Sequence, residues 1–349
     1  MLTEATELLE YAKNASLKAR DAGAGNADVL VQEGRSVTVE IEKNSVRTGD
    51  ISHDSGYSVR AFHEGGAGYA RGSGLFQEHI ARAGKDAVEM AKEAESDPAF
   101  KGLPSPSDAA PVPDLFDERI AAFTPGQAIE IGRKCIETAR DIDPDVIVKG
   151  GIEAGSSVYG LANTNGISIA EAETSIGFYI VSIVRRGDKV GSYYEFTQAR
   201  RISDLRSPEA VAREATERAI SFIESKKMES GEYPVILGPL AAAGFFGSVV
   251  GAANAEEIQR GRSYLAGKRG EIIGSKHLTA EEDPLVPAGL ESTAFDGEGV
   301  PKSKYSIIDK GRLTTYLHNS YTANKTGEKN TGHGSRGSYD STVGIATTN

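Results

Sequence analysis

The spacing of apolar residues changes repeatedly between two periods along the first 222 residues, and this change constrains the fold more than any other feature. The first segment has the spacing of a helix, with Thr3 as its expected N-cap. Its apolar positions are Leu8, Ala12, Ala15 and Ala19. From Val37 to Glu42 apolar and polar residues alternate instead, as in a half-buried strand. Two more strand-like segments and a helix over about 75–94 complete a helix–strands–helix block.

The same order recurs after a proline-rich crossing. Five prolines lie between residues 97 and 113, and this density precludes a helix or a central strand. A helix capped at Thr124–Pro125 follows, and a last capped helix begins at Ser207. The strands expected between them span 146–152, 166–173, 177–185 and 190–196. This recurrence predicts an internal duplication within an N-terminal α+β domain over residues 1–228.

Residues 229–349 are predicted to form a second, strand-rich domain. Tyr233–Leu237 has the composition of a strand, and Asp309–Gly311 lies between two apolar segments as a hairpin turn does. Pro239–Gly251 is apolar and rich in small residues, but it is shorter than the roughly 20 residues that span a membrane. It is therefore predicted to be a buried helix. The whole chain is assigned to the α+β class.

Charge and cysteine content exclude several classes of protein. The 50 acidic and 39 basic residues give a net charge of −11, which argues against direct binding to nucleic acid. A single cysteine excludes a disulfide framework and a cysteine-rich zinc site. That residue, Cys135, lies on the apolar stripe of its helix and is expected to be a buried hydrophobe. With neither a signal peptide nor a membrane span in the pattern, a cytoplasmic location is expected.

Common catalytic motifs fail on spacing. No two of the six histidines share a helix face at a four-residue interval, and the His63–Glu64 pair is followed by glycines. Gly261–Lys268 has one residue too many for a phosphate loop, and Arg269 replaces the residue that would hold magnesium. His333–Gly337 lacks the first glycine of a nucleophile elbow. None of these segments predicts a site.

The densest polar clusters are Phe295–Val300 and Thr331–Arg336. Acidic residues beside glycines, as at Asp296 and Glu298, could hold a cation or a peptide amine. The same composition is also typical of interface or hairpin turns. Both interpretations stay open at the level of the sequence.

These segments also carry a family resemblance. Pro239–Gly251, Phe295–Val300, Ser320–Lys325 and Thr331–Gly334 are similar to the C-terminal half of the TldD/PmbA proteins. The segment Gly56–Arg60 and the duplicated N-terminal half agree with this resemblance. Within the family the chain resembles the PmbA branch, also called TldE, more than the TldD branch.

The resemblance implies that this chain has no catalytic or metal-binding residue of its own. In the TldD branch a His-Glu-x-x-x-His helix binds zinc, and a later cysteine is the third ligand. Here Gly247, Ser248 and Ala252 stand where the first histidine, the glutamate and the second histidine belong. Glycine and alanine have no donor atom, and serine is not a base near neutral pH. The family continues past Asn349, so a truncated C-terminal domain is also expected.

What the resemblance implies about function is a TldE-type subunit. It would have no cofactor and would pair with a zinc-bearing TldD-like chain in a cytoplasmic protease complex for small or unfolded peptides, or form a homodimer when alone. The family is linked to peptide-antibiotic maturation, antitoxin degradation and modulation of DNA gyrase. The residues expected to line the peptide cavity, in the manner of β-augmentation, are Asp296, Glu298, Gly299, Thr331 and His333.

Two other functions compete with this one. The first is an independent metallopeptidase with a displaced metal site around His277, His318 or His333. The second is a non-proteolytic protein that binds DNA gyrase, to which the acidic charge would be suited. The histidine spacing does not favour the first, and the distribution of charge along helices gives the second little support.

Overall fold

A computed structural model describes residues 2–349 of the protein. Its centre is one antiparallel sheet with the strand order β3-β2-β1-β4-β5-β6. The strands are β1 (Asn26–Glu42), β2 (Ser45–His63), β3 (Gly66–Ser73), β4 (Ile147–Asn163), β5 (Ser168–Arg186) and β6 (Lys189–Ala199). Strands β1 and β4, one from each half of this region, pair at the middle of the sheet.

Four long helices cover one face of this sheet. They are α1 (Ala5–Asp21), α2 (Gln77–Glu93), α4 (Pro125–Ile142) and α5 (Pro208–Ser221); a short helix, α3 (Glu118–Ala121), precedes α4. Helices α1 and α2 share a core with Val29 and Val59, and α4 and α5 share one with Val39 and Ile152. Because side chains alternate across a strand, Val29 and Val39 of β1 point to the same side. All four helices therefore lie on that side.

The predicted recurrence of helix, strands and helix is confirmed, because α1 to α2 and α4 to α5 each enclose three strands. In the structure the second block has three strands, whereas the sequence predicted four. The segments expected at 166–173 and 177–185 form the single strand β5, since β4 pairs with it without a break. The proline-rich crossing at 97–113 has neither helix nor strand, as predicted.

The helix caps agree with the sequence at two of three positions. Thr124 forms a full capping box with Gln127 at the start of α4, and Ser207 accepts a hydrogen bond from the Ala210 N–H. The assignment of Thr3 as a cap is wrong. Helix α1 starts after Glu4 without a side-chain cap, and the Thr3 N–H donates to Glu33 at 2.7 Å instead.

The C-terminal part packs on the opposite face of the sheet, where Phe295 and Tyr339 contact a cluster containing Leu30 and Leu161. Its elements are α6 (Pro239–Gly251), α7 (Ala255–Gln259), β7 (Ala280–Glu282), β8 (Tyr305–Asp309), β9 (Arg312–Leu313), α8 (Ser320–Thr326), β10 (Gly334–Ser335) and β11 (Gly344–Ile345). The hairpin predicted at Asp309–Gly311 joins β8 and β9. The strands have only two to five residues, so the expectation of a strand-rich part is wrong in extent.

Two predictions for the start of this part are wrong. Tyr233–Leu237 is not a strand, because no described residue pairs with it, and Ile236 is 99% exposed. Helix α6 forms as predicted, but none of its residues is buried. Composition alone predicted burial, but within residues 2–349 the helix contacts an apolar core at its C-terminal end, through Val249 and Val250, which are half-buried.

The predicted domain boundary at residue 228 falls in an exposed segment, 225–238, that has neither helix nor strand. Over residues 2–349 the helices are all too short or too polar to cross a membrane.

Candidate functional site

Four buried charged side chains join the sheet to the C-terminal part. Arg60 on β2 forms ion pairs with Asp28, its cross-strand neighbour on β1, and with Glu298, the latter at 3.0 Å. Asp28 also accepts from Arg336 at 2.8 Å, and Glu298 accepts from the Ser320 N–H at 2.8 Å. Each of the four side chains is less than a tenth exposed. The network fixes the C-terminal loops on the sheet.

The network holds the Asp28 carboxylate in the charged form. Burial by itself raises the pKa of Asp28, but the charges of Arg336 and Arg60 outweigh this effect and lower the pKa to about 2. Burial likewise disfavours the charged form of Arg60, and the charges of Asp28 and Glu298 raise its pKa above the ordinary value. Removal of one partner would leave an uncompensated buried charge.

Asp296 organises the turn that carries Glu298. Its Oδ1 atom accepts from the N–H groups of Glu298 and Val300, both at 2.9 Å, and its Oδ2 atom accepts from the Gly334 N–H at 2.8 Å. Burial, together with the charge of Glu298, raises the pKa of Asp296 to about 6. Three backbone donors thus already occupy this carboxylate.

Gly299 closes the same turn in a conformation that requires glycine. Its φ angle is +82°, and a Cβ atom there would lie 2.6 Å from the side chain of Ile167, which directly precedes β5. This position therefore couples the turn to the apolar cluster beneath it.

Thr331 and His333 belong to a second buried group. The His333 ring contacts Thr331 through Nδ1 at 2.8 Å and Glu282 through Nε2 at 2.7 Å. Burial alone would raise the pKa of the Glu282 carboxyl, but its contacts with His333 and Thr348 lower it. His318 lies beside this group, and its Nε2 atom is buried without a hydrogen-bond partner among residues 2–349. Burial lowers the pKa of the His318 ring.

A polar cavity of about 250 Å³ lies between the sheet and the C-terminal loops. Tyr159 and Glu171 of the central strands form part of its floor, and Asp296, Lys302 and Arg336 form part of its wall. Of the five residues predicted to contact substrate, Asp296 lines this cavity and Glu298 lines a second one, of about 350 Å³, beside Arg60. Gly299, Thr331 and His333 line neither. Whether any of the five binds a peptide stays a prediction.

Several residues of the cavity were not singled out from the sequence. Tyr159, Glu171, Arg200 and Lys302 each lie in segments whose local pattern indicates only a strand or a turn. For the buried ion-pair network, by contrast, the sequence contained a signal, because Asp28 and Arg60 are charged residues within otherwise apolar strand segments. Such charges are buried only when they are paired.

Family models match three successive parts of the chain. They describe the PmbA/TldA metallopeptidase domain 1 at residues 27–91, the central domain at 118–222 and the C-terminal domain at 230–349. The fold, with its helix–strands–helix blocks around one sheet, defines a protein of the α+β class. More particularly, the chain belongs to the PmbA/TldD family. The family and the α+β fold predicted from the sequence are confirmed.

Individual relatives support the same family assignment. Metalloprotease PmbA of Escherichia coli is 29% identical over 332 residues, which cover 94% of this chain and 73% of that protein. A PmbA homolog of Haemophilus influenzae is 26% identical over 321 residues, covering 90% of this chain and 70% of that protein. The crystal structure of TldE from Thermococcus kodakarensis has a TM-score of 0.90 at 24% identity, covering 97% of this chain and 76% of that one. The last comparison shows a shared fold.

The names of these relatives imply a metal, but the residues present do not fit a catalytic zinc ion. Such a site takes three protein ligands. Gly247 on α6 and Ala252 at its C-cap carry no side-chain donor atom, and the Ser248 hydroxyl donates to the Gly244 carbonyl at 3.0 Å. Among the side chains of residues 2–349, no group of three His, Cys, Asp or Glu lies close enough together to hold a metal ion.

Proposed function

We propose that this chain is a TldE/PmbA-like subunit of a cytoplasmic zinc metalloprotease complex and contributes no metal site of its own. The observation that carries the proposal is the donor set of α6. A chain whose C-terminal domain matches a metallopeptidase model has glycine, serine and alanine at positions 247, 248 and 252, where the resemblance places the ligands and the base. Zinc would therefore belong to a TldD-like partner.

The apolar surface around α6 supports a partner chain. We call this surface the apolar segment; it comprises residues 233–245. Val235, Ile236 and Phe245 are between 61% and 99% exposed. A contiguous exposed apolar surface of this kind marks an interaction site in proteins that are otherwise soluble. The apolar segment includes the first half of α6, the helix that corresponds to the one on which a TldD-like chain carries its metal.

The polar cavity supports a role in holding peptides. It opens toward a shallow groove over the sheet, since Gln32, Glu173 and Arg200 line both the cavity and the groove. The groove floor includes Gly34 and Gly155, which present backbone without bulky side chains. An extended peptide can approach such a floor closely. The cavity at its end would then receive one terminus.

Co-expression with the TldD-like chain of the same genome tests the proposal. We expect the two chains to co-purify, zinc to be bound only in the complex, and peptide cleavage to require both chains. The triple variant His277→Ala, His318→Ala, His333→Ala should retain the zinc content of the complex if it folds, and the single exposed variant His277→Ala is the matched control.

Two outcomes would overturn the proposal. One tightly bound zinc per isolated chain, lost in His333→Ala, would establish an independent metallopeptidase with a displaced site. Recovery of DNA gyrase from cells without any TldD-like chain would favour the non-proteolytic function.

A further inference from the structure

The cavity between the sheet and the C-terminal loops contains a cation without a partner. Two of the three basic side chains that line the cavity already donate hydrogen bonds to carboxylate and carbonyl oxygens. Arg200 donates to Glu173 and to the carbonyls of Gly289 and Leu290, and Arg336 donates to Asp28 and to the Gly297 carbonyl. The third, Lys302, is half-buried, and its ammonium makes no hydrogen bond or ion pair with any residue of 2–349.

The floor of the cavity offers the opposite charge. Glu171 uses only its Oε2 atom, which accepts from the hydroxyls of Tyr159 and Thr293. Glu173 uses only its Oε2 atom, which accepts from Arg200 at 2.7 Å. The Oε1 atoms of both residues have no hydrogen-bond donor among residues 2–349. Free carboxylate oxygens and a free ammonium thus line one cavity.

A ligand with a single charge would fit this cavity poorly. The carboxylates of Asp296, Glu291 and Glu171 act on Lys302, so a simple anion beside it would also be repelled. A simple cation at the glutamates would be repelled by Lys302. A ligand with both charges, separated by a few bonds, satisfies both sides. The volume of about 250 Å³ lies below the ~300–1,000 Å³ of clefts for drug-sized ligands and restricts the occupant to a small molecule.

We propose that this cavity binds a small zwitterion, an amino acid or a dipeptide, with its carboxylate on Lys302 and its ammonium on Glu171 and Glu173. The proposal rests on the proposed role in peptide handling and deepens it by naming a class of ligand. It assigns the ligand ammonium to Glu171 and Glu173 rather than to Asp296, because three backbone donors already occupy the Asp296 carboxylate. Burial lowers the pKa of Lys302, and a ligand carboxylate would favour its charged form.

Titration calorimetry on the 349-residue chain with alanyl-alanine tests the proposal. N-acetyl-alanyl-alanine lacks the ammonium, and alanyl-alanine amide lacks the carboxylate. We expect each blocked probe to bind about tenfold or more weakly than the free dipeptide, since each loses one ion pair. Lys302→Gln should remove the preference for the free acid over the amide and keep the preference for the free amine. Glu171→Gln should weaken the preference for the free amine.

Lys304→Gln is the matched control, because Lys304 lies two residues further on, outside the cavity, and pairs with Glu281 on the surface. This variant should bind all three probes like the wild type. Lys302→Gln removes no hydrogen bond or short ion pair, and comparison of its thermal unfolding with that of the wild type checks that the variant folds. Equal binding of the three probes, no saturable binding at millimolar concentration, or unchanged preferences in Lys302→Gln would each overturn the proposal.

The result is separable from the test of the proposed function. A complex that forms and cleaves peptides while the isolated chain ignores dipeptides would overturn only the zwitterion site. Dipeptide binding by the isolated chain that depends on Lys302, combined with failure of a TldD-like chain to co-purify with it or to cleave peptides with it, would support this site and overturn only the subunit role.

Discussion

Asp28 and Arg336 are separated by 308 residues in the sequence, and their side chains form a hydrogen bond of 2.8 Å. The first lies near the start of the central strand β1, and the second lies in a loop after α8. Both side chains are 3% exposed. This contact joins the first strand of the sheet to the C-terminal part and completes the buried network that also contains Arg60 and Glu298.

Loss of the Asp28 charge is expected to destabilise the protein strongly. Asp28→Asn leaves the buried Arg336 guanidinium without a counter-charge and Arg60 with Glu298 alone, and an uncompensated buried charge typically costs about 3–5 kcal/mol of the free energy of unfolding. Urea denaturation measures this change. Asp340→Asn, which alters an exposed residue near Arg71, should cost less than about 1 kcal/mol. Similar stability of the two variants would contradict the role of the buried network.

The lowered pKa of Asp28 predicts that the protein loses stability in acid. The folded pKa of Asp28, about 2, is below its ordinary value of 3.8, so its stabilising contribution is complete above pH 4. The contribution is lost as the pH falls from about 4 to 2. Unfolding free energies measured over this range should therefore fall more steeply for the wild type than for Asp28→Asn. Parallel curves would show that Asp28 is not ionised in the folded protein.

The raised pKa of Asp296 predicts a pH dependence of the unfolding free energy with the opposite sign. Its folded pKa of about 6 is above the ordinary value of 3.8, so the unfolded chain releases the proton first. Stability should decrease as the pH rises from about 4 to 6, by an amount of order 3 kcal/mol at 1.36 kcal/mol per unit of pKa. The difference between wild type and Asp296→Asn across this range isolates the effect. No change in that difference between pH 4 and pH 6 would refute it.

Gly299→Ala should destabilise the turn for two reasons, its positive φ angle and the 2.6 Å approach of a Cβ atom to Ile167. Gly327→Ala is a matched control, because its φ angle is +71° and no atom lies within 4 Å of a Cβ there. The control should cost about 1–2 kcal/mol from backbone strain alone, and Gly299→Ala should cost more than that. Thermal unfolding of the two variants gives the comparison.

Substitutions in the apolar segment should change association and leave folding intact. Ile236→Glu removes an apolar side chain that is 99% exposed, so the unfolding transition of the isolated chain should not shift by more than about 0.5 kcal/mol. Binding to a TldD-like chain, or self-association seen by light scattering, should weaken. Ile272→Glu, at a side chain 60% exposed elsewhere in the C-terminal part, is the control. An equal effect of both substitutions would argue against a specific docking surface.

Local sequence determined the order of elements in this protein. The alternation at Val37–Glu42, the cap at Thr124–Pro125 and the turn at Asp309–Gly311 each act over a few residues, and each appears in the structure as predicted. The burial of Cys135 was also predictable, because it follows from the apolar stripe of its own helix; burial raises the pKa of its thiol to about 12.

Only the tertiary structure decided which charges meet and which surfaces are covered. The sequence predicts Asp296, Glu298 and His333 as ligand contacts, and this stays a prediction. Their hydrogen bonds in the fold reach residues tens to hundreds of positions away, which no local pattern indicated. Whether the Lys302 ammonium has a partner, and whether α6 is exposed, likewise depends on which other segments pack beside them. Periodicity and capping are properties of neighbouring residues, whereas pairing of charges and burial are properties of the contacts that the completed fold creates.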